Sequence, residues 1–176
     1  RNKKITRLMT QPWSLWLLLD ARDIVKYKNI IKKISLETGL SCFEPHLTLF
    51  GRINANPEPF FELFRDMANK QKRISTKVKK IKFGTSHWKS FYIDLEKNRS
   101  LEALQKQMIA PINHLRDYLF DPHLSLAYGS TDEMTSLTKE INIEKVISFN
   151  SVAIAFVPVN VDRWKIIDKF EFNFDL

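Results

Sequence analysis

The sequence predicts an α+β domain built as two related lobes. Three observations lead there. Segments with the two-residue alternation of strands and segments with helical spacing follow one another along the chain, with no Pro/Ser/Gly-rich linker between them. One phrase is written twice, FEPHLTLFG at 43–51 and FDPHLSLAYG at 120–129. The order of segments around the first copy roughly returns around the second, as a duplication would leave it. A chain of 176 residues suits a single domain, 1–176, with enough length for a real core.

Trp13–Leu19 is a short apolar run of strand length. Asp20 or Asp23 can cap a helix carrying Ile24, Tyr27, Ile30, Ile31 and Ile34 on one face, and Gly39 ends it. His46–Ile53 is the next strand. Pro57 and Pro59 open a second helix with Phe60, Phe64 and Met67 inward. Residues 74–83 form a basic, β-leaning segment, and 91–95 a short strand. Ser100 is placed to cap a third helix bearing Leu101, Leu104 and Met108, which Pro111 kinks or ends. A strand at 123–128 follows, and Ser130 and Glu133 have capping-box spacing for a short helix after it. The end is β again: 152–157, then KFEFNFDL at 169–176, where Phe170, Phe172 and Phe174 alternate with polar residues.

Composition excludes several classes. Hydrophobic residues make up 44%, and Gly 4 with Pro 7 is too few for a collagen-like or disordered chain. The net charge of +8 favours anionic partners, although a Lys-rich soluble surface has the same composition. Within 70–82 lie Lys70, Lys72, Arg73, Lys77, Lys79, Lys80 and Lys82, either a solvated basic edge or a track for an RNA backbone. Cys42 is the one cysteine, so no intrachain disulfide forms, and a reducing, cytoplasmic setting is expected. The stretch RNKKITRLMTQPWSLWLLLD has a basic start and an apolar run, but the run is short, holds Ser14, stops at Asp20 and lacks a small-residue cleavage site, so a signal peptide is not expected. No stretch approaches the ~20 apolar residues of a membrane span. A monomer without membrane association is expected.

The repeated phrase carries the chemistry. Residues two apart in a strand share a face, so His46 and Thr48 point one way while Leu47 and Leu49 point the other. His123 and Ser125 share a face in the same manner, opposite Leu124 and Leu126. Pro45 and Pro122 occupy strand starts, where a missing N–H does least harm. Were the two strands side by side, two imidazoles and two hydroxyls would face one cleft. One neutral histidine can take a proton from water, a protonated one can give a proton to a leaving oxygen, and the hydroxyls can hold non-bridging phosphate oxygens. That is the equipment for in-line displacement at phosphorus.

This pair of motifs resembles the signature of the two-histidine (2H) phosphoesterase superfamily, whose members carry one His-x-Thr/Ser motif per lobe. SLWLLL at 14–19, FEPHLTLFG and DPHLSLAYG most resemble its small cyclic phosphodiesterase branch. The resemblance covers nearly the whole chain and implies a duplicated fold with antiparallel sheets lining a central cleft and helices outside. It implies hydrolysis of ADP-ribose 1″,2″-cyclic phosphate or nucleoside 2′,3′-cyclic phosphates, leaving a 2′-phosphate from the latter. His46 and His123 would be the acid–base pair and Thr48 and Ser125 the phosphate ligands. Trp88, in SHWKSFY, and Tyr128 match places where that branch has aromatic residues at the substrate.

Other residues carry less. His114 follows a helical pattern and His87 sits in a loop beside Trp88. Histidine and cysteine spacing fits neither CxxC nor HExxH, so neither a metal nor any other cofactor is expected. Cys42 is read as a buried or idle thiol. Two further readings stand beside the leading one. One is an RNA-directed relative, a 2′-5′ RNA ligase or a 2′,5′-oligoadenylate phosphodiesterase. The other is a nucleotide- or RNA-binding module without turnover, against which the intact set of four motif residues argues.

Overall fold

The computed structural model describes residues 12–173. The basic start of the chain and Phe174 lie outside the described residues. Seven strands are present among them: β1 (Trp13–Leu19), β2 (His46–Ile53), β3 (Ile74–Ser86), β4 (Lys89–Leu95), β5 (His123–Ala127), β6 (Val146–Phe156) and β7 (Lys165–Glu171). All pairings are antiparallel and run in the order β2-β1-β6-β3-β4-β5. β7 lies on the same edge of β6 as β3, beyond the point where β3 leaves it. β2 and β5 are therefore the two ends of the path rather than neighbours, which corrects the side-by-side pairing considered above. The sheet curls enough to bring β2 and β5 back into contact, so the two motifs still meet, across a cleft instead of along a ladder.

β1 is buried on both faces, which is why it reads as a continuous apolar run. Trp13, Leu15, Leu17 and Leu19 enter the main core, while Trp16 and Leu18 join Ala153, Ala155 and Val157 in a smaller cluster on the opposite face. Leu47, Leu49, Leu124 and Leu126 are all in the main core, as the alternation requires.

The helices are α1 (Ala21–Thr38), α2 (Phe61–Asn69), α3 (Arg99–Ile109) and the single turn α4 (Met134–Leu137). Asp20 caps α1, its side chain accepting from the Asp23 N–H, and Gly39 closes it in the left-handed conformation at φ +74. Asp23 has a different task. Buried inside the first turn, it accepts the Ser148 N–H at 2.8 Å and fastens α1 to β6. Pro59 falls in a 3₁₀ turn, Glu58–Phe60, so α2 proper begins after it, with Phe64 buried. α3 is capped by Asn98 rather than Ser100. Asn98 is still extended and accepts the Leu101 N–H at 2.8 Å, whereas Ser100 is already helical. The capping box at Ser130 and Glu133 does not form, since Glu133 at the N-cap of α4 is itself in the helical region and makes no side-chain cap bond. β6 and β7 begin earlier than 152 and 169, because pairing with β1, β3 and β7 recruits polar residues that alternation alone passes over. No helix among the described residues is long and apolar enough to cross a membrane.

Candidate active site

A cavity of about 350 Å³ opens where the ends of the curled sheet meet. His46 and Thr48 of β2 and His123 of β5 line it, together with Trp88 and Tyr128. The structure thus gathers five of the six site residues expected from the motifs. Ser125 is buried and does not line the cavity. Burial pushes the Tyr128 phenol up, with Ser125 acting against it and Tyr118 adding to it, so the phenol stays protonated and remains a donor.

The two histidines are held alike. The Nδ1 of His46 is 2.7 Å from the Glu44 carbonyl, and the Nδ1 of His123 is 2.7 Å from the Asp121 carbonyl. A carbonyl only accepts, so each Nδ1 carries the hydrogen and each Nε2 is left for the reaction. The repeated acid-Pro-His phrase is the local reason. Proline contributes no N–H and fixes its own φ, and the carbonyl two residues back from the ring takes the bond.

Their surroundings differ. In the β1–β2 ladder Trp16 lies opposite Thr48 and Leu18 opposite His46; in the β4–β5 ladder Tyr92 lies opposite Ser125 and Asp94 opposite His123. Trp16 stacks on the His46 ring at 3.7 Å, with Trp164 and Phe43 edge-on to it. Only 4% of His46 is exposed, and burial pushes its pKa down to about 3, with the His123 charge adding to the shift and the Glu44 carbonyl opposing it. His123 is half-buried, with Tyr92 edge-on at 5.4 Å. Burial lowers it as well, and so does Lys89, but the Asp121 carbonyl and the carboxylates of Asp121 and Asp94 pull it back up. One site therefore holds a histidine kept neutral and a histidine better able to hold a proton, an arrangement suited to paired base and acid.

Several lining residues have no counterpart in the motif reading. Trp16 and Trp164 form an aromatic wall with Trp88, which stacks on Trp164 at 6.0 Å, and Tyr128, 5.0 Å from Trp164. Period-two alternation in 13–19 already sets Trp16 on the face opposite Leu15 and Leu17; Trp164 follows a 3₁₀ turn and has no comparable signal. Lys89 pairs with Asp121 at the cavity, and Arg52 and Arg116 line it too. Trp88 owes its place to the two-residue turn between β3 and β4, and Arg52 packs its guanidinium 4.9 Å over the indole. His87 and His114 are exposed and line no part of this cavity, and Cys42 is exposed, not buried. None of the seven cations within 70–82 lines it; Arg73 pairs with Asp20 and Lys82 with Asp94. Among the described residues no group of three or more His, Cys, Asp or Glu side chains is placed to hold a metal ion.

This architecture is that of the two-histidine phosphoesterases. The chain superposes on TT0787 of Thermus thermophilus with a TM-score of 0.60 at 13% identity, covering 94% of this chain and 100% of that one. It superposes on E. coli LigT in apo form with a TM-score of 0.58 at 14% identity, and on LigT complexed with NADP+ at 0.61 and 12%, in each case over 93% of this chain and 98% of the other. At such identities the likeness establishes the fold. The profile of the family described as cyclic phosphodiesterase-like protein matches residues 12–172, and the chain belongs to that family. A comparison with curated proteins finds no match.

Proposed function

We propose that the protein hydrolyses a cyclic phosphodiester of a small nucleotide-derived molecule to a phosphomonoester, without a metal ion. The observation that carries this is the pair of histidines on β2 and β5, both with Nδ1 tied to a carbonyl and both lining one cavity. His46, kept neutral, takes a proton from water through Nε2. The water oxygen attacks phosphorus, the bond to the departing ester oxygen breaks in line, and His123 delivers a proton to that oxygen. Thr48 donates to a non-bridging phosphate oxygen. On the β5 side Tyr128 lines the cavity and can supply the hydroxyl that Ser125, buried outside the lining, does not. The wall of Trp16, Trp88 and Trp164 is suited to stacking a base. LigT has been solved with NADP+, with 3′-AMP, with ATP and with phosphate, ligands whose chemistry suits the lining found here. The exposed lysines of β3 favour the RNA-directed reading as the second one.

In-line geometry with two fixed imidazoles requires one isomer from a nucleoside 2′,3′-cyclic phosphate, and the family resemblance makes it the 2′-phosphate. The test is hydrolysis of adenosine 2′,3′-cyclic phosphate after exhaustive EDTA treatment, with products resolved by phosphorus NMR. Full activity and clean 2′-phosphate are expected. His46→Ala and His123→Ala should each lower turnover ~10²–10⁴-fold, the range for losing one general acid or base. Preferential turnover of 2′,5′-oligoadenylate or of RNA ends in the same assay would favour the RNA-directed reading. A roughly equal isomer mixture would sink the fixed acid–base geometry.

A further inference from the structure

Resting on the reading above, we infer that Arg52 and Arg116 form a second anion subsite, which binds a phosphoryl group of the substrate remote from the cyclic ester. Of the substrates that the resemblance implies, ADP-ribose 1″,2″-cyclic phosphate carries such a group, a diphosphate, and a bare nucleoside 2′,3′-cyclic phosphate does not.

Arg52 Nη1 is buried and has no hydrogen-bond partner among the described residues. A buried, unpaired guanidinium N–H is costly, and such groups in native structures await a ligand. Burial lowers the pKa of Arg52, and so does the like charge of Arg116; among the described residues no carboxylate offsets them. Arg116 donates through Nε and Nη1 to the backbone carbonyls of Asp117, Gly51 and Arg52, which carry no net charge, and it makes no ion pair with a described residue. The other cation at the cavity, Lys89, is already paired with Asp121. Among the described residues the two arginines are thus an uncompensated pair of positive charges.

The pair is also built, not incidental. Arg52 is the one non-glycine among the described residues with positive φ, at 55°, a conformation unfavourable for a side chain with a Cβ. Three contacts hold it there. Its N–H donates to Ser14 Oγ at 2.9 Å, its carbonyl accepts from Arg116 Nη1 at 3.1 Å, and its guanidinium lies over Trp88. Both arginines line the catalytic cavity and also a neighbouring groove of about 250 Å³. A ligand that extends from the histidines towards this groove meets both arginines, whose planar guanidinium donors suit phosphate oxygens.

The test compares adenosine 2′,3′-cyclic phosphate with its 5′-phosphate and its 5′-diphosphate, reading kcat/KM for each. The wild type should prefer the phosphorylated substrates roughly 10- to 100-fold, mainly through KM. The better of the two identifies a monoester or a diphosphate as the group bound. In Arg52→Asn, which tolerates positive φ, the ratio should fall towards one, and Arg52→Lys should restore part of it. Direct titration of adenosine 5′-phosphate supplies a readout free of turnover, with affinity expected to fall about tenfold in Arg52→Asn. Turnover of the bare substrate with no preference for the phosphorylated ones, or a ratio unchanged in Arg52→Asn, overturns the subsite. Absence of turnover on all three overturns the catalytic reading instead, and the titration then decides the subsite alone.

Discussion

Leu18 and Asp94 occupy equivalent places in the two halves, one opposite His46 and the other opposite His123. Deeper burial of His46 and the carboxylates near His123, Asp94 among them, separate two imidazoles held by identical backbone bonds. Both titrate below the usual 6.5, His46 at about 3 and His123 at a point that its neighbouring carboxylates raise. The expected profile of kcat/KM against pH is a bell on the acid side of neutrality, because free-enzyme ionisations govern that quantity. It rises as His46 loses its proton and falls as His123 loses its own. In Asp94→Asn a carboxylate that favours His123⁺ is gone and Lys82 is left without its partner, so the falling limb should move to lower pH. A falling limb that stays in place would remove Asp94 from the tuning of His123.

Strands β3 and β4 deliver Trp88 to the cavity, and they depend on a glycine to do so. A Cβ on Gly84 would lie 1.9 Å from the Lys89 carbonyl oxygen, which is backbone and cannot step aside. Gly84→Ala should therefore force the two strands apart, lower stability by ~2–4 kcal/mol and weaken substrate binding along with it, as Trp88 moves off Trp164 and Arg52. Asn98→Ala is the contrasting case. It removes the α3 cap, for a loss of ~1 kcal/mol, at a place with no side chain in the cavity. Urea unfolding beside KM for the two variants should show both destabilised and only the first impaired in binding.

The curled sheet buries His46 under Trp16, Phe43 and Trp164, and this couples its protonation to the stability of the entire fold. In the unfolded chain the imidazole titrates near 6.5; folded, it takes a proton only at about 3. Between those values the unfolded state binds more protons, so stability is full above pH 6.5 and declines as pH falls through the window, by up to ~3–5 kcal/mol for this one group. Chemical denaturation from pH 7 to pH 4 should trace that decline. His46→Phe, which suits the aromatic surroundings without a titratable group, should flatten it. An unchanged slope in that variant would assign the acid sensitivity to other residues.

Much of the site was legible because its signals are local. Period-two alternation placed His46 and Thr48 opposite Leu47 and Leu49, and the second copy of the phrase placed His123 opposite Leu124. Asp20 and Gly39 bounded α1 through contacts within a few residues of themselves. The acid-Pro-His phrase brings its own carbonyl to each ring, so one short segment suffices to position Nε2. Long-range register is a different matter. Leu18 meets His46 and Asp94 meets His123 only through the registers of the β1–β2 and β4–β5 ladders, and Arg116 reaches the carbonyls of Gly51 and Arg52 across more than sixty residues of chain. Trp164 and Arg52 carry no pattern of their own, since neither alternation nor capping marks a side chain that matters for what lies beside it. Two histidines of one motif thus pointed to the chemistry from sequence, while their inequality, and the pair of arginines without a carboxylate partner among the described residues, arose from packing between segments far apart in the chain, where burial and neighbouring charge are set.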